Sequence, residues 1–393
     1  MRRSTARILT THTGSLPRPP AILEAMRAVE SGQEIDVGSF ERRLKDAVSD
    51  IVRGQAEAGI DVVNDGECGK PSFRGYAMAR LTGFEARMPD GGLPVPTGPM
   101  GRDGRDARMF PDYYAWVFAH NPFTATIRAA PRVCVGPISY VGHALLQRDI
   151  GNLETALGGL QVEEAFVPCA APFTGPAANE YYRSDEEYAT AFADAMREEY
   201  RLVIDAGLLV QIDDPSMVSA WDGRPELTLD EYRRAAEPRV ELLNYALRGL
   251  PEDRIRYHTC YGVNFGPRVS DLQLADVVDI LLKIHAGSYS FEAANPRHEH
   301  EWRLFETVKL PEGKVLIPGM VTHSNVTIEH PEVVADRIVR WAEVVGPENV
   351  IAGNDCGFAS TAGNAEIPPT VAWAKLRALG EGARIASRRL WRT

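Results

Sequence analysis

The chain alternates between two textures along most of its length. A short β-branched or apolar run ends in polar residues, and a longer stretch with apolar positions near helical spacing follows. Eight such runs predict strands: Leu9–Ser15, Asp61–Asp65, Arg132–Ile138, Leu208–Asp213, Ile255–Cys260, Gly287–Glu292, Val315–Val321 and Asn349–Asn354. A ninth, Glu163–Pro168, is one too many for a plain eight-fold repeat and reads as part of an excursion. Asp185–Ala206, Leu229–Leu250, Leu272–His285 and Pro331–Val345 predict helices. Thr228 with Glu231 three residues on has the form of a capping box. Pro331 suits the first turn of its helix.

Eight β/α repeats predict an α/β fold, a (β/α)8 TIM barrel with loop excursions, as one catalytic domain over residues 1–393. A doubly wound sheet usually brings a glycine-rich phosphate loop, and neither G-x-G-x-x-G after a strand nor G-x-x-x-x-G-K-[ST] occurs. Two stretches break the rhythm and read as irregular insertions, near 89–118 and near 163–182. The first is rich in Gly, Pro, Arg and Asp and runs into Y-Y-A-W-V-F. It reads either as a surface excursion or as a wall of a substrate site.

Composition narrows the partners. The net charge of −11 argues against nucleic acid or an anionic membrane. There is no run of about 20 apolar residues, as a spanning helix would need. The opening M-R-R-S-T-A-R-I-L-T-T lacks the apolar core of a signal peptide, so a cytoplasmic setting is expected. The five cysteines are an odd number in a chain long enough to bury its own core. Metal binding or chemistry is then a better expectation than disulfides.

In a barrel the strand C-termini converge on one face, where function sits. His258, Cys260, Glu292 and Cys356 all fall at such ends. His258 and Cys260 are two apart on one run, so they face the same way. Two thiols, an imidazole and a carboxylate are a complete ligand set for tetrahedral zinc. Each residue also has a plainer reading: a buried cysteine as a small hydrophobe, a strand-end histidine bonded to a carbonyl.

Several motifs then carry a family resemblance. They run in order as T-T-H-T-G-S-L-P-R-P (Thr10–Pro19), D-V-V-N-D-G-E (Asp61–Glu67), V-G-P-I (Val135–Ile138) and Q-I-D-D-P (Gln211–Pro215). H-T-C-Y (His258–Tyr261), F-E-A (Phe291–Ala293), V-T-H-S (Val321–Ser324) and N-D-C-G (Asn354–Gly357) complete the series. With them the chain resembles the catalytic half of the cobalamin-independent methionine synthase family. The resemblance implies a (β/α)8 barrel whose Zn2+ is held by His258, Cys260, Glu292 and Cys356. It implies His323 as general acid, Glu67 and Asp213 as the carboxylates that hold the homocysteine amino group, and Ser15 as the residue that holds its carboxylate.

Zinc coordination would deprotonate an acceptor thiol, whose free pKa is about 8.5, and leave a usable nucleophile. Glu292 is the ligand expected to give way when that thiol arrives. His298 and His300, in R-H-E-H-E-W, read as decoys at a solvated helix start.

The departures concern the donor. A separate N-terminal barrel has no counterpart here. Asp214 stands where the family usually has Glu, F-A-S-T follows Gly357 in place of a basic run, and Cys68 adds a thiol beside Glu67. The expected function is zinc-dependent transfer of an alkyl group, foremost methyl, from a small-molecule donor to the thiol of homocysteine. The alternative is the chemistry of short relatives that resemble epoxyalkane:coenzyme M transferases, which open an epoxide with a thiol. Arg18 would then answer the sulfonate. A zinc hydrolase ranks lower, because two thiolates make the metal a poorer Lewis acid. A structural zinc knot normally uses closely spaced ligand pairs. Donor identity and assembly into a homo-oligomer stay open.

Overall fold

The computed structural model of the protein describes residues 1–87, 103–120, 131–172, 178–262, 265–362 and 367–391. Eight parallel strands form one sheet: β1 (Leu9–Thr10), β2 (Val62–Val63), β3 (Glu164–Ala170), β4 (Leu209–Asp213), β5 (Ile255–His258), β6 (Ser288–Phe291), β7 (Val315–Val321) and β8 (Ile351–Asn354). Neighbours in sequence are neighbours in the sheet. β1 also pairs with β8, and a bridge between Thr11 and Val62 joins β1 to β2 and closes the ring. This is the barrel the repeats predict.

The strand assignment differs from the sequence expectation at one place. Glu164–Ala170 is a barrel strand paired to β2 and β4, not an excursion. Arg132–Cys134 instead joins a small outer sheet with Phe84–Ala86 and Ala178–Asn179. β3 runs through Pro168, a residue rare inside a central strand because it has no N–H to give the ladder. Here its carbonyl is taken up by Lys70 Nζ (2.5 Å) and Tyr76 Oη (3.3 Å), which reach in from beside the barrel.

Helices cover the outside. Val37–Glu57 buries Leu44, Val48, Ile51 and Val52 on one face and is N-capped by Asp36. Asp185–Asp205, Leu229–Leu247 and Pro331–Val345 form close to their expected bounds, with the Thr228–Glu231 capping box intact and Pro331 in the first turn. Leu272–His285 is not one helix. It splits into a short 3-10 turn at Leu274–Asp276 and a helix at Val278–Leu281. No helix among the described residues is long and apolar enough to cross a membrane.

Strand alternation sorts the interior into layers. Val210, Ile212, Ile255 and Tyr257 point out into the helix-covered core, so Gln211, Asp213, Arg256 and His258 point in. The floor is apolar: Leu9, Val315, Ile317 and Ile351 on one side, Val62, Phe166 and Leu209 on the other. Above it Arg256 stacks 3.8 Å from the Phe166 ring and donates to Thr11 Oγ1 (3.0 Å) and the His12 carbonyl (3.2 Å). Charged residues occupy the layer above that, at the strand C-termini.

Of the insertion expected near 89–118, residues 88–102 lie outside the described residues. The rest forms helices Arg105–Met109 and Pro111–His120. Asp106 docks this segment on the loop after β5. It accepts from the Arg268 backbone N–H (2.5 Å), the Ser270 N–H (3.1 Å) and Ser270 Oγ (2.8 Å), and Tyr113 Oη donates to the Phe265 carbonyl (2.8 Å).

Candidate metal centre and acceptor site

His258, Cys260 and Cys356 meet at the mouth of the barrel, all buried, with one ligand atom from each within 4.8 Å of the others. The Cys356 and Cys260 sulfurs are 2.9 Å apart. His258 is carried by β5, and the backbone turns off the strand at Thr259, whose N–H bonds the Ser290 carbonyl. That puts Cys260 beside the loop after β8.

Electrostatics describes a site short of positive charge. The adjoining Cys260 thiol and then burial hold the Cys356 thiol well above the ordinary thiol range. Two thiolates this close need a cation between them. His258 is held neutral, down to about 3, by burial and then by Arg256 on the same face of β5. Its Nδ1 is buried and finds no hydrogen-bond partner among the described residues. A neutral imidazole with an unsatisfied nitrogen beside two thiols is a soft, tetrahedral donor set, and it fits zinc.

Glu292 sits at the edge of this trio, close enough to help raise Cys356. Its Oε1 accepts from the Tyr261 N–H (2.9 Å), and its Oε2 accepts from Arg268 Nη2 (2.8 Å) and Asn295 Nδ2 (2.9 Å). A carboxylate offers about four lone-pair positions, so one, on Oε1, is left for a metal. Glu292 also clusters with His323 and Asp355, one atom of each within 4.8 Å. Asp355 is not an open ligand: it accepts from the N–H groups of Ala293 (2.8 Å), Ala294 (2.7 Å) and Asn295 (2.9 Å) and so fixes the turn after Glu292. His323 is fully buried. Its Nε2–H donates to the Gly262 carbonyl (3.2 Å), and its Nδ1 finds no partner among the described residues.

The residues expected to hold an acceptor, Glu67, Asp213 and Ser15, lie beside the trio. Glu67 is in the left-handed region at φ 55°, which side chains other than glycine seldom adopt. Burial raises its pKa against the pull of Lys70 and Arg18. Asp213, at the end of β4, is pushed well above the carboxylate range by burial and then by the charge of Glu67, while Gln211 Nε2 donates to it at 2.8 Å. Ser15 accepts the Phe358 N–H on its carbonyl (3.0 Å), and a Cβ on Gly357 would fall 2.0 Å from its Oγ. Ser15 thus abuts the residue after Cys356. Gly14 backs onto Glu67, where a Cβ would fall 2.6 Å from Oε1. The structure gathers all eight sequence-derived residues at one mouth. Arg18 is engaged by the carbonyls of Ala359, Glu67 and Lys70.

One histidine differs from its sequence reading. His298 is fully buried, stacked 4.2 Å from Tyr261 and paired with Asp271 and Glu301 at 3.1 Å each. His300 is exposed. Sequence reasoning passed over Arg268, Asn295 and Asp355. Only Asp355 had a signal, as the neighbour of Cys356 in N-D-C-G.

No family model matches the chain. Relatives do. A methionine synthase of Thermococcus kodakarensis is 25% identical, over 98% of this chain and 94% of its own length. One of Sulfolobus acidocaldarius is 24% identical, over 89% and 85%. Among solved structures, a B12-independent methionine synthase of Shewanella sp. W3-18-1 in complex with selenomethionine superposes with a TM-score of 0.72. It is 21% identical and covers 99% of this chain and 100% of its own. A putative vitamin-B12 independent methionine synthase of Listeria monocytogenes gives 0.61 at 20% identity, over 96% and 98%. The resemblance to the cobalamin-independent methionine synthase family, first read from dispersed motifs, therefore holds along the whole chain, and the barrel that carries those motifs is the same.

Proposed function

We propose that this barrel transfers a methyl group to the thiol of homocysteine and releases methionine, in a zinc-dependent reaction. The observation that carries the reading is the convergence of His258, Cys260 and Cys356 on one buried point beside two buried carboxylates, Glu67 and Asp213. The archaeal relatives that match nearly the whole chain are named methionine synthases, which favours homocysteine over a sulfonated thiol.

Zinc, when bound by His258, Cys260, Cys356 and the remaining Oε1 position of Glu292, supplies the charge that keeps an acceptor sulfur deprotonated at neutral pH. The residues supply orientation. Burial raises Glu67, and burial and then the charge of Glu67 raise Asp213 even with Lys70 nearby, so the pair has room for a further cation, and the acceptor's ammonium group is that cation. Ser15 Oγ, packed on Gly357, meets the acceptor's carboxylate beside Cys356. The acceptor sulfur then forms a bond to the methyl carbon. The donor's bond to that carbon breaks with its electron pair left on the donor, which takes up a proton. His323 Nδ1 is the atom placed to carry that proton, since Nε2 is committed to the Gly262 carbonyl. The segment from Asp106 to Tyr114 walls the mouth on the β5 side.

Methionine formation tests the reading. The zinc-loaded protein is offered homocysteine or coenzyme M, each with methyltetrahydrofolate, methylcobalamin or a small epoxide. Methionine from homocysteine with either methyl donor supports the proposal and identifies the donor. A thioether formed only from the epoxide and coenzyme M overturns it in favour of epoxide opening. Cys356→Ala is expected to abolish transfer and lower bound zinc below one equivalent while the far-ultraviolet circular dichroism is unchanged. Global unfolding on chelation would instead mark the metal as structural.

A further inference from the structure

We propose that Arg268 is the standing counter-charge of Glu292, and that it makes this carboxylate an exchangeable member of the metal-binding set. The inference rests on the reading of His258, Cys260, Glu292 and Cys356 as metal ligands. It concerns a residue that the motifs do not contain.

Three observations support it. Arg268 Nη2 lies 2.8 Å from Glu292 Oε2, and both side chains are nearly inaccessible, at 4% and 0% exposure. A buried carboxylate without a partner is costly, and a guanidinium in hydrogen-bond contact removes most of that cost. Glu292 can therefore leave a metal without becoming a lone buried charge. Asn295 Nδ2, on the same oxygen, adds a neutral donor. This leaves Oε2 saturated and Oε1 the only oxygen able to come and go.

The second observation is that Arg268 is held in place at a conformational cost. It is at φ 58°, one of two non-glycine residues among those described with positive φ; the other is Glu67. Its N–H is fixed by Asp106, Nε by Asp271 (2.7 Å) and Nη1 by Ser324 Oγ (3.2 Å), so its position does not depend on Glu292. A backbone kept in a sparsely populated region by several partners is typical of residues whose placement matters.

The third concerns the thiols. Cys260, Cys356 and an acceptor thiolate, with His258, already complete four positions. Glu292 would be a fifth ligand and the fourth negative one, so it has to yield, and Arg268 is the place to which its charge returns. Arg268 acts through Glu292 and is a positioning residue.

The test uses the full chain and two binding readouts. Zinc affinity is measured by competition with a chromogenic chelator, and homocysteine affinity by calorimetry on zinc-loaded protein. In Arg268→Met, zinc affinity without thiol is expected to equal or exceed that of the wild type, since Glu292 then has the metal as its main partner. Homocysteine affinity is expected to fall roughly tenfold or more. Arg268→Lys keeps the charge and is expected to recover most of that loss. In a Glu292→Gln background, Arg268→Met should cost no further homocysteine affinity.

Unchanged homocysteine affinity in zinc-loaded Arg268→Met would overturn the proposal. So would a loss of zinc as large as in Glu292→Gln, which would mean that Arg268 merely holds the ligand in place. If Arg268→Met does not fold, Arg268→Gln, which removes the charge but keeps a hydrogen-bond donor, takes its place alone and with Glu292→Gln: an unchanged homocysteine affinity in the single variant, or a deficit relative to Glu292→Gln that persists in the double variant, overturns it. Wild-type protein that takes up no zinc would instead defeat the functional reading on which this one rests.

Discussion

Gly319 and Gly357 set how closely the loops of the site approach one another. A Cβ on Gly357 would meet Ser15 Oγ at 2.0 Å, but the next contact is Ser15 Cβ at 3.3 Å, so rotating one hydroxyl relieves most of the clash. Gly357→Ala is therefore expected to fold, keep one zinc and raise the KM for homocysteine by roughly tenfold, the loss of one hydrogen bond to a charged group. Metal analysis and steady-state kinetics check it, and zinc lost together with affinity would sink the argument. Gly319 is different. A Cβ there would meet Asp355 Oδ1 at 2.0 Å, its backbone nitrogen at 2.8 Å and its Cα at 2.9 Å, and the backbone cannot rotate away. Gly319→Ala should break the Asp355 clasp on residues 293–295, and zinc content is the readout expected to fall. The contrast shows what the sequence discloses at this scale. His258, Cys260, Glu292 and Cys356 are legible as candidate ligands because a ligand has to be a donor and the donors of a barrel site sit at strand ends. Arg268 is not. It sits in G-P-R-V, a loop without periodicity, and its role comes from a positive φ and a partner 24 residues away.

At the scale of elements, the sequence misplaces one strand for a physical reason. E-A-F-V-P-C-A reads as a strand candidate, but once R-V-C is counted it is a ninth and one too many for an eight-fold repeat. R-V-C, with β-branched character and a clean Gly-Pro stop, looks better but is the central strand of a small three-stranded sheet outside the barrel. The Pro168 carbonyl is taken up by Lys70 and Tyr76, more than ninety residues earlier, contacts that no local pattern contains. The segment around Asp106 is the same kind of case. Gly, Pro, Arg and Asp suggest a loose surface excursion, yet Asp106 satisfies one buried and one partly buried backbone N–H group on the loop after β5. Removing that carboxylate leaves both without an acceptor, a local cost of about 2–4 kcal/mol. Asp106→Ala should accelerate amide exchange at 103–114 and 265–272 and leave β3 to β6 protected. Protection lost equally in the barrel strands would show that the segment is part of the global core and not a docked wall.

For the molecule as a whole, the layered barrel explains both its stability and its exposure to pH. The apolar floor and the helix-covered outer faces hold the fold. The layer at the strand C-termini holds buried charges, and those whose protonation is shifted tie folding to pH. His298 is the clearest of these. Burial acts to lower its pKa, but hydrogen bonds to Asp271 and Glu301, with the charges of Glu301 and Glu292, overcome it and bring the ring to about 9 from an ordinary 6.5. The folded state thus binds a proton more tightly than the unfolded chain. Its contribution is complete below pH 6.5, declines as pH rises from there, and is gone above about 9. The shift corresponds to about 3 kcal/mol. His298→Gln cannot carry that proton. Urea unfolding of both proteins at a series of pH values from 6 to 10 should give a gap of a few kcal/mol at pH 6 that closes by pH 10. A gap that stays constant with pH would mean that the ring stabilises through its stack on Tyr261 alone, and that Asp271 and Glu301 are satisfied by something other than an imidazolium.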